Sequence, residues 1–425
     1  MPKAMSDDAY NDMIGKIKRA LELEASFSMK KAAEEEHGIL QIPEDEVAEC
    51  KAMFDGTWRK RGYASLQGVV TSISAASGKC LDYESLNKMC FSCARWQKKP
   101  EGLAKDNWKA NHQCSINFVG SAPAMEPEGV SRIFTRSVES RKLQYTGYIG
   151  DGDSKSFSSI KASKPYGNKD IVKLECVGHV QKRMGTALRK LKSQKGKTKL
   201  KDGRTIGGAN RLTGVRMDRL QVYYGLAIRR HKDDLEAMKK EVWAGLYHSA
   251  STDEKPQHQN CPMGPNTWCK YNKAVLEKKQ FKHKNPLPSA IVDELEPIYE
   301  KLTRDELMNG CLGGYTQNNC EAINHLIWSR CPKTTHSGRD HLDAAVVAFN
   351  DGSSGLAGVL IHMGVEPGNN MIHGLSKRDS KRKRESNINA TIIAKKIRQS
   401  RRKAKKNVQD SQLDKEGVVY EAGGF

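Results

Sequence analysis

Residues 52–58 (AMFDGTW), 66–74 (LQGVVTSIS) and 78–84 (GKCLDYE) form three short runs in which apolar and polar side chains alternate with a period of two. That period is the signature of strands with one side against a core. The five residues SAASG (74–78) between the second and third runs make a tight turn, so the three runs read as an antiparallel meander. Working outward, a helical pattern runs from Ala124 to about Arg141, and KLQYTGYIG (142–150) alternates Leu143, Tyr145 and Ile149. IVKLECV (171–177) gives a further strand, and a basic helix follows through Leu191.

Three strands, a helix, a strand and another strand is the order of a ribonuclease-H-like fold. The expected class is therefore α/β, a mixed sheet flanked by helices. Upstream, residues 7–36 read as two helices, with Ile14, Ile17 and Leu21 at helical spacing, ending at His37 and Gly38. Downstream, residues 195–210 are rich in Lys and Gly and read as an exposed loop. Three helical stripes follow: Met217, Leu220, Tyr224, Ile228; Leu235, Met238, Val242, Leu246; and Ile291, Leu295, Ile298, Leu302. The organisation expected is an N-terminal helical segment (1–45) and a first part of the core (46–194) holding a Cys/His insertion (90–114). A helical insertion (195–310) with a second Cys/His loop (248–269) comes before the end of the core (311–375). Residues 376–425 are expected to be a basic disordered tail.

The chain of 425 residues carries a formal charge of +21, which points to a polyanionic partner. The excess is uneven: residues 377–406 hold fourteen Lys/Arg against Asp379 and Glu385, over half of the total. The runs KRDSKRKR and KKIRQSRRKAKK lie there. They fit nuclear import and also phosphate contact through Lys381, Arg382, Lys383, Arg384, Arg401, Arg402 and Lys403. No stretch approaches the roughly 20 apolar residues of a membrane span, and no apolar signal core opens the chain, so an intracellular, nuclear protein is expected. The eleven cysteines are odd in number and several stand beside histidines, which favours metal ligation over disulfides.

Three acidic motifs break the basic background: Asp55 in FDGTW, Asp151 in YIGDGDS and Glu321 in NNCEAINHLIW. Phosphodiester chemistry on two divalent ions about 4 Å apart needs few protein groups, and three well-placed carboxylates suffice for hydrated Mg²⁺ or Mn²⁺. Asp55 and Asp151 fall on neighbouring strands in the expected sheet. Glu321 enters from a helix start, with Asn324 and His325 one turn further on. In GDGDS either acid can be the ligand; Asp151 ends the apolar run directly, whereas Asp153 suits the cap of the following helix.

Six segments together resemble the Mutator-like transposase domain of arthropod genomes. They are FDGTWRKRGYASLQGVV (54–70), YIGDGDSKSF (148–157), ECVGHVQKRMG (175–185), GGANRLTGVRMDRLQVYYGLAIRRH (207–231), HSASTDEKPQHQNCPMGPNTWCKY (248–271) and NNCEAINHLIWSRCPK (318–333). The resemblance spans roughly residues 25–350 and implies a DDE transposase that cleaves and joins DNA with Mg²⁺ or Mn²⁺. It places the triad on Asp55, Asp151 and Glu321. Its Cys-x-x-His element falls on Cys176 and His179, in a site-supporting role, since a thiolate suits Mg²⁺ poorly. By the same analogy the protein works as a homo-oligomer on DNA, without a small-molecule substrate. A non-catalytic DNA- or chromatin-binding descendant of a transposase, and a nuclease of the same fold, are the competing readings.

Two Cys/His sets have zinc-like spacing. Cys90-x2-Cys93, eighteen residues, then His112-x-Cys114 gives four ligands. His258-x2-Cys261-x7-Cys269, with His248 as a fourth, gives another in a Pro/Gly-rich loop.

Overall fold

The computed structural model describes residues 5–60, 64–150, 155–265, 267–331 and 339–391, together with 393–395, 397–398 and 400. The chain divides into two compact units, residues 27–346 and a smaller one formed by residues 1–26 with 347–425.

Helix α1 (Asp7–Leu40) leads into β1 (Ala48–Trp58), β2 (Gln67–Ser74) and β3 (Cys80–Asn87). Short helices α2 (Phe91–Gln97) and α3 (Leu103–Asn111) precede α4 (Met125–Arg141), β4 (Leu143–Gly150), α5 (Lys155–Ser163) and β5 (Val172–Glu175). Helices then take over: α6 (Val177–Lys195), α7 (Gly214–Arg230), α8 (Leu235–Ala250), α9 (Lys270–Leu276) and α10 (Ser289–Leu302). The last are α11 (Asp305–Gly310), α12 (Asn318–Arg330), α13 (Arg339–Asn350), α14 (Gly355–His362) and α15 (Asn369–Ala390).

One continuous α1 stands where the sequence reads as two helices. Its middle is rich in Leu, Glu, Ala, Met and Lys, all strong helix formers, and has no proline to break it. A second difference lies downstream, where α15 continues to Ala390 through part of the stretch expected to be disordered.

The five strands form a mixed sheet in the order β3-β2-β1-β4-β5. β1 lies at its centre, antiparallel to β2 and parallel to β4, and β4 is parallel to β5. Met53 pairs with Ile149 and Gly150 with Glu175, so β1, β4 and β5 end at the same edge. In open α/β sheets the carboxyl ends of parallel strands are where sites are built.

Strand alternation sorts β1 into two faces. Ala48, Cys50, Ala52 and Phe54 enter one core with Ala32 and Ala33 of α1, Val130, Ile133 and Phe134 of α4, and Leu143, Tyr145 and Tyr148 of β4. Phe54 stacks on Tyr148 at 5.2 Å and lies 5.0 Å from Phe134. Each such pair adds roughly 0.5–1.5 kcal/mol beyond the area buried. Helix α4 comes close to the sheet at Gly129, where a Cβ would lie 2.6 Å from Val70 Cγ2. The opposite face of β1 carries Lys51, Asp55 and Thr57.

A second core joins α6, α7, α8 and α10 through Val180, Met184, Leu220, Tyr224, Val242 and Ile291 among others. The three stripes read from the sequence lie on α7, α8 and α10, and α6, expected within the first part of the core, packs with them. In the smaller unit, Glu24 of α1 pairs with His362 of α14 at 3.2 Å. There Asp379 of α15 accepts from the backbone N–H groups of Ser353 and Ser354, at 2.8 and 3.0 Å.

Candidate functional site

Helix α12 packs on β1 and β2 and covers the face of β1 that carries Asp55. Gln317, Glu321, Asn324 and Trp328 follow one another at spacings of four, three and four, so they share one helical stripe. Three of them bond to consecutive points of β1. Gln317 Nε2 donates to the Phe54 carbonyl at 2.9 Å, Asn324 Nδ2 to Asp55 Oδ2 at 2.7 Å, and Trp328 Nε1 to Thr57 Oγ1 at 2.7 Å. Glu321 stands one turn before Asn324 on this stripe, with its side chain exposed. Neighbours three apart on a helix are about 5–6 Å apart at Cβ. The buried face of the same helix is Cys320, Ile323 and Ile327. Desolvation pushes the Cys320 thiol well up, and the nearby Asp55 carboxylate adds to it.

The structure therefore packs the helix that carries Glu321 against the strand that carries Asp55, although 266 residues separate the two acids in the chain. Asp151 and Asp153 lie outside the described residues. Gly150, directly before Asp151, is the last residue of β4, the strand alongside β1.

Glu126, at the start of α4, was not singled out in the sequence. It reaches the residue after Asp55: a Cβ on Gly56 would sit 3.0 Å from Glu126 Oε2. Ser156, just past residue 154, donates to its Oε1 at 3.3 Å. No motif marks this acid, because α4 and β1 are joined only by the fold.

Cys176 is buried and caps α6; its carbonyl accepts from His179 N at 2.9 Å. It follows Glu175, the β5 residue paired with Gly150, and so belongs to the same edge of the sheet. Val177 N donates to the Tyr315 carbonyl at 2.9 Å, tying this corner to the segment before α12. His179 lines a cleft of about 980 Å³ between α6 and α10, together with Lys182, Arg183, Lys190 and Lys301. No acid lines it. Arg183 also reaches Glu175 at 2.9 Å, and Lys182, Lys190 and Lys301 are the lysines of its lining.

Both Cys/His sets assemble, each with four ligand atoms within 4.8 Å of one another. In the first, His112 Nε2 lies 3.3 Å from Cys90 Sγ and 3.3 Å from Cys93 Sγ, and Cys93 Sγ lies 3.6 Å from Cys114 Sγ. In the second, His248 Nδ1 and His258 Nδ1 are 3.1 Å apart. Their distances to Cys261 Sγ and Cys269 Sγ run from 3.4 to 3.7 Å. A tetrahedron with Zn–S near 2.3 Å and Zn–N near 2.0–2.1 Å has edges of roughly 3.3–3.8 Å. Both donor sets fit it.

The thiols of each set shift in opposite directions, Cys93 and Cys261 upward and Cys90 and Cys269 downward. Against the upward push of desolvation, the backbone N–H groups of Cys93 and Ser115 hold the Cys90 thiol down to about 5. Cys269 is held well below the ordinary thiol range by Cys261, against desolvation, with His248, His258 and the Asn272 N–H adding to it. The first set also has a structural reason to need a tie. Helices α2 and α3 are seven and nine residues long, and between them only Lys105 is buried. Helices that short are marginal alone.

Lys381, Arg382, Lys383 and Arg384 lie exposed on α15 in the smaller unit. Arg401, Arg402 and Lys403 lie outside the described residues. Among the described residues no helix is long and apolar enough to cross a membrane.

Among known proteins, the family model described as Mutator-like transposase matches residues 2–269. No curated protein and no solved structure matches the chain. The matched segment includes Asp55, the Cys176–His179 corner and both Cys/His sets, ending on the ligand atom of Cys269; Glu321 lies past it.

Proposed function

The chain belongs to the Mutator-like transposase family, and from that premise we propose that it cuts and joins DNA strands by metal-assisted nucleotidyl transfer on a ribonuclease-H-like sheet. The mixed sheet with β1 at its centre and parallel to β4 supports that fold. Asp55, Asp151 and Glu321 hold two Mg²⁺ or Mn²⁺ ions in this reading. Bound divalent ions supply an activated attacking oxygen and charge stabilisation at the leaving oxygen. The observation that carries the proposal is the Asn324–Asp55 hydrogen bond, which ties a strand carboxylate to the helix residue one turn after Glu321.

The protein's own groups have separate tasks. Asn324 orients Asp55, and a charge-assisted hydrogen bond of this kind contributes about 1.5–3 kcal/mol. Cys176 and His179 support the corner where β5 becomes α6. Lys182, Lys190 and Lys301 hold the phosphate backbone, as do Lys381–Arg384, with Arg401, Arg402 and Lys403 extending the run. Two element ends have to be joined together, so assembly of at least two copies is part of the proposal. The basic runs deliver the protein to the nucleus. Structural zinc occupies both Cys/His sets, tying α2 to α3 and α8 to α9.

The test is strand nicking and strand transfer on labelled DNA in Mg²⁺, with wild type beside Asp55→Ala and Glu321→Ala. Loss of both activities in the variants supports the triad. Equal activity in all three removes it. An inert wild type that still binds DNA favours a non-catalytic descendant, and cleavage without strand transfer favours a nuclease.

A further inference from the structure

The histidine pair in the second Cys/His set leads outward to groups that no ligand spacing reveals. His258 Nδ1 faces the cluster, while its other nitrogen lies 2.8 Å from His283 Nε2 and 2.9 Å from Ser251 Oγ. His283 Nδ1 in turn lies 2.6 Å from Asp253 Oδ1, and the same carboxylate oxygen accepts from the His283 backbone N–H at 2.8 Å. Ser251 and His258 are buried, and the side chain of His283 is 8% exposed. Asp253 closes the chain of contacts at the surface, its side chain 48% exposed.

The direction of the protons follows from the one group that can only accept. Ionised Asp253 takes the proton of His283 Nδ1. The neutral His283 ring then has a lone pair at Nε2. It can accept from His258 Nε2–H directly. It can also accept from the Ser251 hydroxyl, whose oxygen takes the His258 proton and the Gln257 N–H at 2.9 Å. Both routes leave the proton on His258 Nε2 and a lone pair on Nδ1. That lone pair points at His248 Nδ1 and two sulfurs, a set of donors that repel one another without a cation between them. The His258 ring stacks face to face on Tyr271 at 4.2 Å and meets His283 edge to edge.

We propose that Asp253, His283 and Ser251 form an outer-sphere relay that fixes His258 as an Nδ1 ligand of a structural zinc ion. The proposal rests on the zinc reading of this cluster. Carboxylate–histidine support of this kind sets the tautomer and ring orientation of a ligand, and its loss weakens metal binding about 10- to 100-fold. It also ties the two ends of the segment from Ser251 to His283, which contains α9, through the Asp253–His283 bonds.

The experiment uses the full chain loaded with zinc, and it follows zinc per chain and its release to a competing chelator. Wild type is expected to hold two zinc ions and Cys269→Ser one. His283→Ala is expected to release one ion about 10- to 100-fold more readily while the ion at Cys90, Cys93, His112 and Cys114 is retained unchanged. With Co²⁺ in place of zinc, the same variant should shift the bands of one site only. His283→Gln, which can still accept from His258, should recover part of the difference; it also serves if His283→Ala does not fold. If Cys269→Ser loses no zinc, the metal reading fails and the relay with it. If Cys269→Ser loses one ion but both His283 variants keep wild-type release, the relay alone is overturned.

Discussion

Asn324 donates its side-chain amide to Asp55 at 2.7 Å across 269 residues of chain. Gln317 and Trp328 hold the same helix to the same strand on either side of that bond. Replacing Asn324 with Ala therefore leaves the helix docked but removes the donor that aims the carboxylate. The expected outcome is Mg²⁺-dependent cleavage slowed by about tenfold or more, since roughly 1.4 kcal/mol corresponds to tenfold in rate. Asn324→Asp, which sets a like charge against Asp55, should be slower still. Circular dichroism checks that both variants keep the fold; cleavage at the wild-type rate would reduce Asn324 to packing.

The segment between β3 and α4 leaves the sheet at Asn87 and returns at Asn117, which bonds Asn87 N at 2.8 Å and the Ser85 carbonyl at 2.7 Å. Inside that bracket the Cys/His set replaces a core. Cys93→Ser should lower zinc by one per chain and open the segment to trypsin at Lys98, Lys99 and Lys109, with the sheet intact. Limited proteolysis read by mass spectrometry decides it. Equal protection with and without Cys93 would mean that the Trp96–Trp108 stack at 5.1 Å is sufficient by itself.

What the sequence reveals and what it hides follow from how local each signal is. The period of two in β1 to β3 and the 3.6-residue stripes of α7, α8 and α10 are local, and strands and helices lie where they are read, although β2 is buried on both faces and not on one side alone. Cys90 and Cys93, or Cys261 and Cys269, carry their own spacing. Glu126 and His283 have no such spacing: one reaches Gly56 from a helix in another layer, the other reaches His258 across 25 residues that include α9. Neither lies in a repeatable pattern, so only the fold exposes them. The break expected within residues 7–36 was a misreading of another kind, because a weak apolar stripe does not end a helix that lacks a proline.

Two glycines in helices make opposite predictions. Gly→Ala inside a helix usually stabilises by about 0.5–1 kcal/mol. At Gly15 an added Cβ meets nothing within 4 Å, so Gly15→Ala should gain about that much. At Gly129 the Cβ would fall 2.6 Å from Val70 Cγ2 and 2.9 Å from Leu86 Cδ1, on strands that cannot yield. Gly129→Ala should lose about 1–3 kcal/mol. Denaturant midpoints give both signs, and a gain at Gly129 would show that α4 can lift.

The cap at Asp379 carries a pH dependence of defined sign. Desolvation pushes its carboxyl up, but the Ser353 and Ser354 N–H groups and the Ser354 hydroxyl win and hold it below its ordinary value. A carboxyl depressed on folding stabilises above its unfolded pKa of about 3.9, and that contribution is lost as pH falls through the folded value. Asp379→Asn should therefore destabilise the smaller unit by about 1 kcal/mol at pH 7. The gap to wild type should close as pH falls below about 4 and passes through the lowered folded-state value. Parallel acid titrations by circular dichroism test this; a gap independent of pH would assign the bond a neutral role.

The cleft between α6 and α10 offers the last discrimination, between cations that touch phosphate and cations that merely solvate a helix. Each phosphate contact on duplex DNA contributes about 0.9 to the slope of log K against log salt. Lys182, Lys190 and Lys301 line the cleft without an acid among its walls, so changing all three to Ala should lower the slope by about 2–3. The loss should be the same for any duplex sequence, since phosphate contacts position DNA and do not read it. Lys16, which pairs with Asp12 at 2.8 Å on exposed helix surface, is the control and should leave the slope unchanged. A triple variant with wild-type slope would move the DNA path off this cleft and onto the basic run of α15, where Lys381–Arg384 can be tested in the same way.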